Sequence, residues 1–179
     1  MVVMVRERKG TYRYLAVGLL TLLISTSLAF SAFGGQFEDA DAAYARGDYP
    51  TAFRLLKPMA EQGHAEAQYN LGSMYAEGRG VPQDYGEATK WFRKAAEQGN
   101  AMAQYNLGGM YFRGQGVPRD FVLAHMWFNL SVSRVPASEG EKREATEIII
   151  DLVASKMTPY QIAEAQRLAR EWKPKEEVK

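Results

Sequence analysis

The chain has 179 residues, 46% of them hydrophobic and 24% charged, a composition typical of an ordinary globular unit rather than a disordered or fibrous chain. Its 22 basic and 21 acidic residues leave a net charge of +1, which excludes a strong overall field favouring nucleic acid as a partner. Cysteine is absent, so disulfides, thiolate zinc ligands and cysteine nucleophiles are excluded.

The N-terminal segment has the pattern of a secretory signal. Four basic side chains precede an uncharged run from Tyr14 to Phe37, which is most apolar at its start and then becomes rich in small residues. This order predicts a signal peptide over residues 1–31 and a periplasmic location for the rest of the chain. An uncleaved anchor in the inner membrane, facing the periplasm, is the alternative, because the run is long enough to cross a bilayer. Membrane contact is expected only through this segment, and only if it is not cleaved.

The central part of the chain is internally repeated. Two consecutive blocks of 36 residues, 65–100 and 101–136, are identical at 17 positions without a gap. An earlier copy over residues 37–64 lacks the five residues that supply the sequence GRGVP in the later ones. Periods of this length are typical of stacked helix pairs, so we predict a helical solenoid over residues 37–136.

Each full unit is predicted to contain a helix A and a helix B. The first helix A covers about Ala65–Glu77, and the two B helices begin after the capping residues Asp84 and Asp120. Gly72 and Gly108 lie in the middle of the A helices, where glycine costs about 1 kcal/mol relative to alanine. That repeated cost predicts a close approach of aromatic side chains from helix B. The glycines of GRGVP and its copy are interpreted as turn residues.

A capping pair of helices is predicted over residues 137–173. The second of these helices begins at Thr158-Pro159 and has a polar outer face, which suits a terminal unit. Residues 174–179 are expected to be a frayed tail. In the first helix, apolar residues recur at helical spacing and are expected to pack on the repeats. These residues are Ala145, Ile148, Ile149, Leu152 and Val153.

The block AEAQYNLGSMYAEGRGVPQDYGEATKWFRKAAEQGN and its copy resemble Sel1-like repeats, a subfamily of tetratricopeptide-like solenoids. The resemblance covers about Phe37 to Pro136. It implies an all-α, right-handed α-solenoid of antiparallel helix pairs that binds partner proteins or peptides. Two features depart from the family pattern: the first unit lacks the longer loop, and the second full unit lacks the AEQG ending. The segment TPYQIAEAQRLAREW is similar to the closing helix of exported bacterial proteins of this type.

The resemblance implies that one face of each helix A lines a concave groove. The candidate partner-binding residues on this face are Glu66, Tyr69, Asn70, Ser73, Met102, Tyr105, Asn106, Phe112 and Arg113. Asparagine amides can bond an extended peptide backbone in both directions, and aromatic rings add contact area at low entropy cost. Tyr69 and Tyr105 have a second interpretation, in which they pack against neighbouring repeats and only stabilise the fold. Phe112 occupies the position of Ala76, which indicates that the fold does not need bulk there.

The sequence contains no catalytic or metal-binding constellation. His64 and His125 lack a second histidine at ligand spacing and are both expected at the surface. The glycine-rich loops lack the lysine and hydroxyl residue of a phosphate cradle. We therefore predict no metal, no cofactor and no enzymatic activity, and a protein- or peptide-binding scaffold in the cell envelope. The alternative is an enzyme that processes or binds peptidoglycan or a β-lactam, which the missing nucleophile–base pair disfavours.

Overall fold

The computed structural model describes residues 35–136 and 138–175, which form helices and connecting loops without a strand. The predicted signal segment, 1–31, lies outside these residues. The arrangement is an all-α solenoid of helix pairs with two further helices at its C-terminal end, which confirms the predicted fold class. The helices are α1 (35–45), α2 (Tyr49–Glu61), α3 (Ala65–Glu77), α4 (Tyr85–Glu97), α5 (Ala101–Arg113), α6 (Phe121–Val132), α7 (Gly140–Ala154) and α8 (Pro159–Glu171). None of the described helices is both long and apolar enough to cross a membrane.

The predicted helix caps are confirmed. Asp84 Oδ1 accepts a hydrogen bond from the Glu87 N–H at 3.0 Å, and Asp120 Oδ1 accepts one from the Leu123 N–H at 3.0 Å. Each bond satisfies a backbone donor that the first turn of a helix otherwise leaves unpaired. The A helices α3 and α5 both end at a glycine in the left-handed conformation with φ of 70°. The hairpin of each repeat is therefore defined at both ends of its loop by local chemistry.

The mid-helix glycines permit close packing between the two helices of one repeat. A Cβ atom added to Gly72 would lie 2.8 Å from Phe92 Cδ1, and one added to Gly108 would lie 3.1 Å from Phe128 Cδ1. Both phenylalanines are almost completely buried. This geometry confirms the predicted approach of helix B aromatic residues to the backbone of helix A.

Successive units are joined by buried glutamines at equivalent positions. Gln68 Nε2 donates to the Ala60 carbonyl oxygen at 3.0 Å, and Gln104 Nε2 donates to the Ala96 carbonyl oxygen at 3.1 Å. Each acceptor lies near the C-terminal end of the preceding helix, where carbonyl groups lack helical partners. The same bond therefore sets the register between units at both junctions.

The loop glycines do more than turn the chain. Gly80 and Gly116 have φ of 75° and 69°, and each lies in close contact with the first residue of an earlier helix. A Cβ atom on Gly80 would lie 2.6 Å from the Tyr49 carbonyl oxygen, and one on Gly116 would lie closer still to the Tyr85 carbonyl oxygen. The interpretation of these residues as turn glycines is therefore incomplete, because they also form the contact between adjacent units.

Helix α6 is buried on nearly all sides because α5 covers one side and α7 and α8 cover the others. His125 lies on this helix with only 3% of its surface exposed, and its repeat equivalent Thr89 is 2% exposed. The prediction that His125 lies at the surface is therefore wrong. Asn129 Nδ2 donates to His125 Nδ1 at 2.8 Å, so the ring nitrogen that accepts this bond carries no proton. This position is therefore a core position in both full repeats, although the residues that occupy it are polar.

Burial lowers the pKa of His125 below its ordinary value of 6.5, and the carboxylate of Asp151 only partly opposes this effect. Since the unfolded chain then binds the proton more readily, the free energy of unfolding should decrease as the pH falls through about 6.5. At higher pH the free energy of unfolding should not depend on this histidine. At lower pH the decrease should stop once His125 is also protonated in the folded protein. Urea titrations across this pH range should show that the free energy of unfolding of the native protein decreases with falling pH. In His125→Gln the part of this decrease that comes from His125 should be absent. An unchanged slope in that variant would contradict the prediction.

Helix α7 packs against α6 through a face different from the predicted one. Thr146 and Val153 are buried, whereas Ile148 and Leu152 are 63% and 49% exposed. Ala145 is exposed as well. Val153 and Ile149 therefore pack on the repeats, whereas the other three apolar residues do not, because the buried face of α7 is rotated from the predicted one.

The end of the chain is held against the repeats. Trp172 lies 6.3 Å from Trp127 between ring centroids, in an edge-to-face arrangement, and the Arg134 guanidinium lies 4.6 Å from the centroid of the Trp172 ring. The Lys175 N–H donates to the Glu97 carbonyl oxygen at 2.8 Å, and Lys175 Nζ lies 2.7 Å from Glu97 Oε2. The chain is therefore held against the repeats at Lys175, a residue at which fraying is expected.

Candidate functional site

Two adjoining clefts lie along the A helices. The first has a volume of about 220 Å³ between α1 and α3, and the second has a volume of about 350 Å³ between α3 and α5. Ser73 and Glu77 line both clefts, so we treat the two as one groove. The first cleft is lined by Asp41, Tyr44, Leu56, Tyr69, Asn70, Ser73 and Glu77. The second is lined by Ser73, Ala76, Glu77, Tyr85, Phe92, Asn106, Met110, Arg113 and Gln115.

Helical spacing determines which α3 side chains line the groove. Ser73 and Glu77 follow Asn70 at steps of three and four residues, which places the three side chains on one face of the helix. Leu71 and Met74 lie on another face and are completely buried against neighbouring helices. The packing of the apolar face therefore directs the polar face into the groove.

Asn70 and Asn106 are the repeated polar groups of the groove. They occupy equivalent positions on α3 and α5, 36 residues apart, and both are half-buried. Within the described residues, neither side-chain amide forms a hydrogen bond, in contrast to the equivalent glutamines Gln68 and Gln104 two positions earlier. Each amide therefore retains a donor and an acceptor for a ligand.

The two predicted tyrosines both pack on phenylalanines of helix B. Ring centroids of Tyr69 and Phe92 are 6.0 Å apart, and those of Tyr105 and Phe128 are 5.4 Å apart. The interpretation of these rings as packing residues therefore has a structural basis. Tyr69 additionally lines the first cleft, whereas Tyr105 lines neither of the two clefts.

Three further predicted residues also lie outside the two clefts. Glu66 Oε2 accepts a hydrogen bond from Asn100 Nδ2 at 3.3 Å, and Met102 is 50% exposed at the beginning of α5. Phe112 is half-buried and packs against Phe121, with 5.8 Å between ring centroids. The structure thus brings five of the predicted residues into the groove: Tyr69, Asn70, Ser73, Asn106 and Arg113.

An arginine arranges the charged side chains at the first cleft. Arg79 Nη1 donates to the Tyr44 hydroxyl at 2.6 Å, and Arg79 Nε lies 2.8 Å from Glu77 Oε2. Burial raises the pKa of Tyr44, and the negative charge of Glu77 adds to the increase, so this hydroxyl stays protonated at neutral pH. Sequence reasoning missed Asp41 and Tyr44. The repeat gave no signal for them, because alignment of Gly47 with Gly78 matches Asp41 and Tyr44 to Gly72 and Tyr75, which line neither cleft.

The charges differ between the two ends of the groove. Asp41 contributes a carboxylate at the α1 end, where it forms no ion pair among the described residues. Arg113 contributes a guanidinium at the α5 end, where its Nε donates to Gln115 Oε1 at 2.6 Å. Among residues 35–136 and 138–175, no three histidine, aspartate or glutamate side chains are grouped closely enough to hold a metal ion. The groove therefore offers hydrogen bonds, aromatic surface and opposite charges at its two ends.

These features define the class of helical-repeat proteins whose helix pairs stack into a solenoid. The model of the Sel1 repeat family matches residues 36–64, 65–100 and 101–134, and the chain belongs to this family. The family match confirms the resemblance found in the sequence. Sel1 repeat proteins are generally protein–protein interaction scaffolds without catalytic activity.

Two solved structures support the assignment. The chain is similar to c5321, a protective antigen of uropathogenic Escherichia coli with an SLR fold, with a TM-score of 0.66 and 32% identity over 78% of this chain and 29% of that chain. It is also similar to a Sel1 repeat protein from Oxalobacter formigenes, with a TM-score of 0.54 and 32% identity over 60% of this chain and 44% of that chain. The chain thus spans less than half the length of either protein.

Shorter similarities extend to curated mammalian proteins. The DAP3-binding cell death enhancer 1 of Rattus norvegicus is 34% identical over 61 residues, which are 34% of this chain and 11% of the rat protein. The protein of the same name in Mus musculus is 45% identical over 38 residues, or 21% of this chain and 8% of the mouse protein. The matched segment spans about a tenth of these relatives, so they support the repeat assignment only.

Proposed function

We propose that this protein is a non-catalytic scaffold that binds an extended segment of a partner protein in the groove. The observation that carries the proposal is the pair of equivalent, unsatisfied amides of Asn70 and Asn106 in adjoining clefts. An extended peptide presents N–H and C=O groups that are not engaged in its own secondary structure. The two amides match such a backbone because each can donate and accept.

The rigidity of the site favours binding. Asn70 and Asn106 lie on α3 and α5, whose buried faces are tightly packed by Leu71 and Leu107. Little conformational entropy is then lost by the scaffold when a peptide binds, so most of the ordering cost falls on the peptide.

The charges favour one direction of the bound peptide. A basic side chain is favoured near Asp41, and an acidic side chain is favoured near Arg113, because opposite charges across an interface attract. Arg79 partly neutralises Glu77, which leaves Asp41 as the main attraction for a cation at its end. The bound peptide should place a basic residue at the α1 end of the groove and an acidic residue at the α5 end. Exchanging these two residues in a peptide that binds in this direction should therefore weaken its binding.

The proposed location is the periplasm, after cleavage of the basic and apolar N-terminal segment. The support is the sequence order of basic residues, apolar core and small residues before residue 32. Mass measurement of the protein from its native cells distinguishes this from an inner-membrane anchor, which would retain the full mass.

Site-specific photocrosslinking tests the groove in native cells. A photoreactive amino acid at Ser73 should give a covalent adduct with a partner protein, whereas one at Arg170, on the outer face of α8, should not. Changing both Asn70 and Asn106 to alanine should reduce the Ser73 adduct about thirtyfold, because two ligand hydrogen bonds of about 1 kcal/mol each, about 2 kcal/mol together, are lost. The melting temperature should stay nearly constant, since neither amide bonds within the described fold.

Two results would contradict the proposal. Equal adduct yields at Ser73 and Arg170 would show that the groove is not the binding surface. A large decrease in melting temperature in the double variant would assign the asparagines to the fold instead. The variant Glu66→Ala, which lies on α3 outside the two clefts, is the matched control and should retain the adduct.

A further inference from the structure

The outer face of α7 departs from what a terminal helix requires. Ile148 and Leu152 are 63% and 49% exposed, one helical turn apart, and Ala145 is exposed beside them. Terminal units of solenoids normally present a polar outer face, as the neighbouring helix α8 does with Glu164 and Arg167. We call Ala145, Ile148 and Leu152 the α7 strip.

Acidic side chains border the α7 strip. Glu144 and Asp151 lie along one side of it, and Glu141 lies at its N-terminal end, all three exposed. Other acidic residues of this region have partners, since Glu139 pairs with Lys142 and Glu147 with Arg143. Within the described residues, no ion pair is formed by Glu141, Glu144 or Asp151. The exposed Lys156 lies at the C-terminal end of the strip, so the strip combines apolar contact area with a net negative border of three carboxylates against one ammonium group.

We propose that the α7 strip binds a basic amphipathic helix of a partner protein. The apolar face of such a helix would cover Ile148 and Leu152, as in other helix–groove contacts, and its lysines or arginines would pair with Glu144 and Asp151. A surface of anionic lipid is disfavoured, because the same carboxylates repel it. This contact lies on the cap and is separate from the groove.

Charge also disfavours a second copy of the chain as the occupant. In a two-fold pairing of antiparallel α7 helices, the side of the strip that carries Glu144 and Asp151 faces the same side of the other copy. Four carboxylates would then lie together without a counter-charge on that side. A cationic partner removes this repulsion.

A pair of synthetic peptides tests the proposal with the full chain. The first is a labelled helix of about 18 residues, long enough for helix formation, with leucines at helical spacing and flanking lysines. The second has glutamates in place of the lysines. Fluorescence anisotropy should show saturable binding of the lysine peptide and at least about tenfold weaker binding of the glutamate peptide.

Variants of the protein locate the contact. The change of Ile148 and Leu152 to serine should weaken lysine-peptide binding at least about tenfold, whereas Tyr160→Ser, at a tyrosine that is 80% exposed on α8, should leave it unchanged. The change of Glu144 and Asp151 to lysine should invert the preference, so that the glutamate peptide now binds more tightly. The Asn70 and Asn106 variants should bind the lysine peptide as the native protein does, which separates this test from that of the groove.

Three outcomes would overturn the inference. The first is the absence of saturation, and the second is an equal loss in Tyr160→Ser. The third is concentration-dependent dimerisation that the Ile148 and Leu152 changes abolish, because the strip would then be covered by a second copy.

Discussion

Replacing Phe92 with alanine is expected to lower the free energy of unfolding by about 4 kcal/mol. The ring is 2% exposed and fills the space between the two helices of the first full repeat, where it contacts the backbone at Gly72. Because Gly72 has no side chain, it cannot fill the cavity that the smaller residue leaves. A loss of this size is a large fraction of the stability of a small domain, so the urea midpoint should decrease strongly.

A second substitution makes this test specific to the packing of Phe92 on Gly72. In the native protein, Gly72→Ala should destabilise the fold, since the new Cβ atom would lie 2.8 Å from Phe92 Cδ1. In the Phe92→Ala background the same change should stabilise the fold by about 1 kcal/mol, because the clash is gone and alanine favours the helix. Phe112→Ala, at a half-buried ring, is the matched control and should cost less than Phe92→Ala. If Gly72→Ala had the same sign in both backgrounds, the two residues would not be coupled as the structure indicates.

Gly116→Ala is expected to destabilise the protein by about 3 kcal/mol, from two separate causes. Its φ of 69° is unfavourable for alanine, and its Cβ atom would collide with the Tyr85 carbonyl oxygen at the start of α4. That oxygen belongs to helix backbone and cannot move without displacing the helix. The substitution should therefore weaken the contact between the second full repeat and the first. The resulting loss of stability can be measured by urea unfolding monitored by circular dichroism.

Gly114→Ala is the matched control for this effect. Gly114 has a nearly equal φ of 70°, but its added Cβ atom would lie no closer than 3.3 Å to Arg119 Cβ and 3.4 Å to the Arg119 backbone nitrogen. It should therefore cost only the conformational part, about 1 kcal/mol. Equal effects of the two changes would show that the contact between the loop and Tyr85 does not contribute to stability.

Features that depend on local chemistry could be predicted from the sequence. The cap at Asp84 and the close approach at Gly72 each involve residues within one hairpin, and the second repeat presents the same residues again. The repeat itself removes ambiguity, because a feature found twice at the same position has a common structural cause. The family match to residues 36–64, 65–100 and 101–134 has the same origin.

The candidate site could be predicted only in part. Asn70 and Asn106 belong to the repeated helix and line the groove as helical spacing indicates. Asp41 and Tyr44 could not be singled out, because the first unit is shorter and matches the later ones weakly. The match of Phe112 to Ala76 indicates that the fold does not need bulk there, but the contact of Phe112 with Phe121 depends on how the following helix folds back.

The sequence by itself determined the number of repeats, the helix boundaries within them and the polar face of each helix A, because these follow from short-range spacing and capping. Only the tertiary structure decided which residues the cap covers. Ile148 is exposed because α7 packs on α6 in an orientation that no repeat pattern specifies, whereas the burial of His125 recurs at its repeat equivalent Thr89. Burial at such a junction depends on two surfaces that have no equivalent elsewhere in the chain.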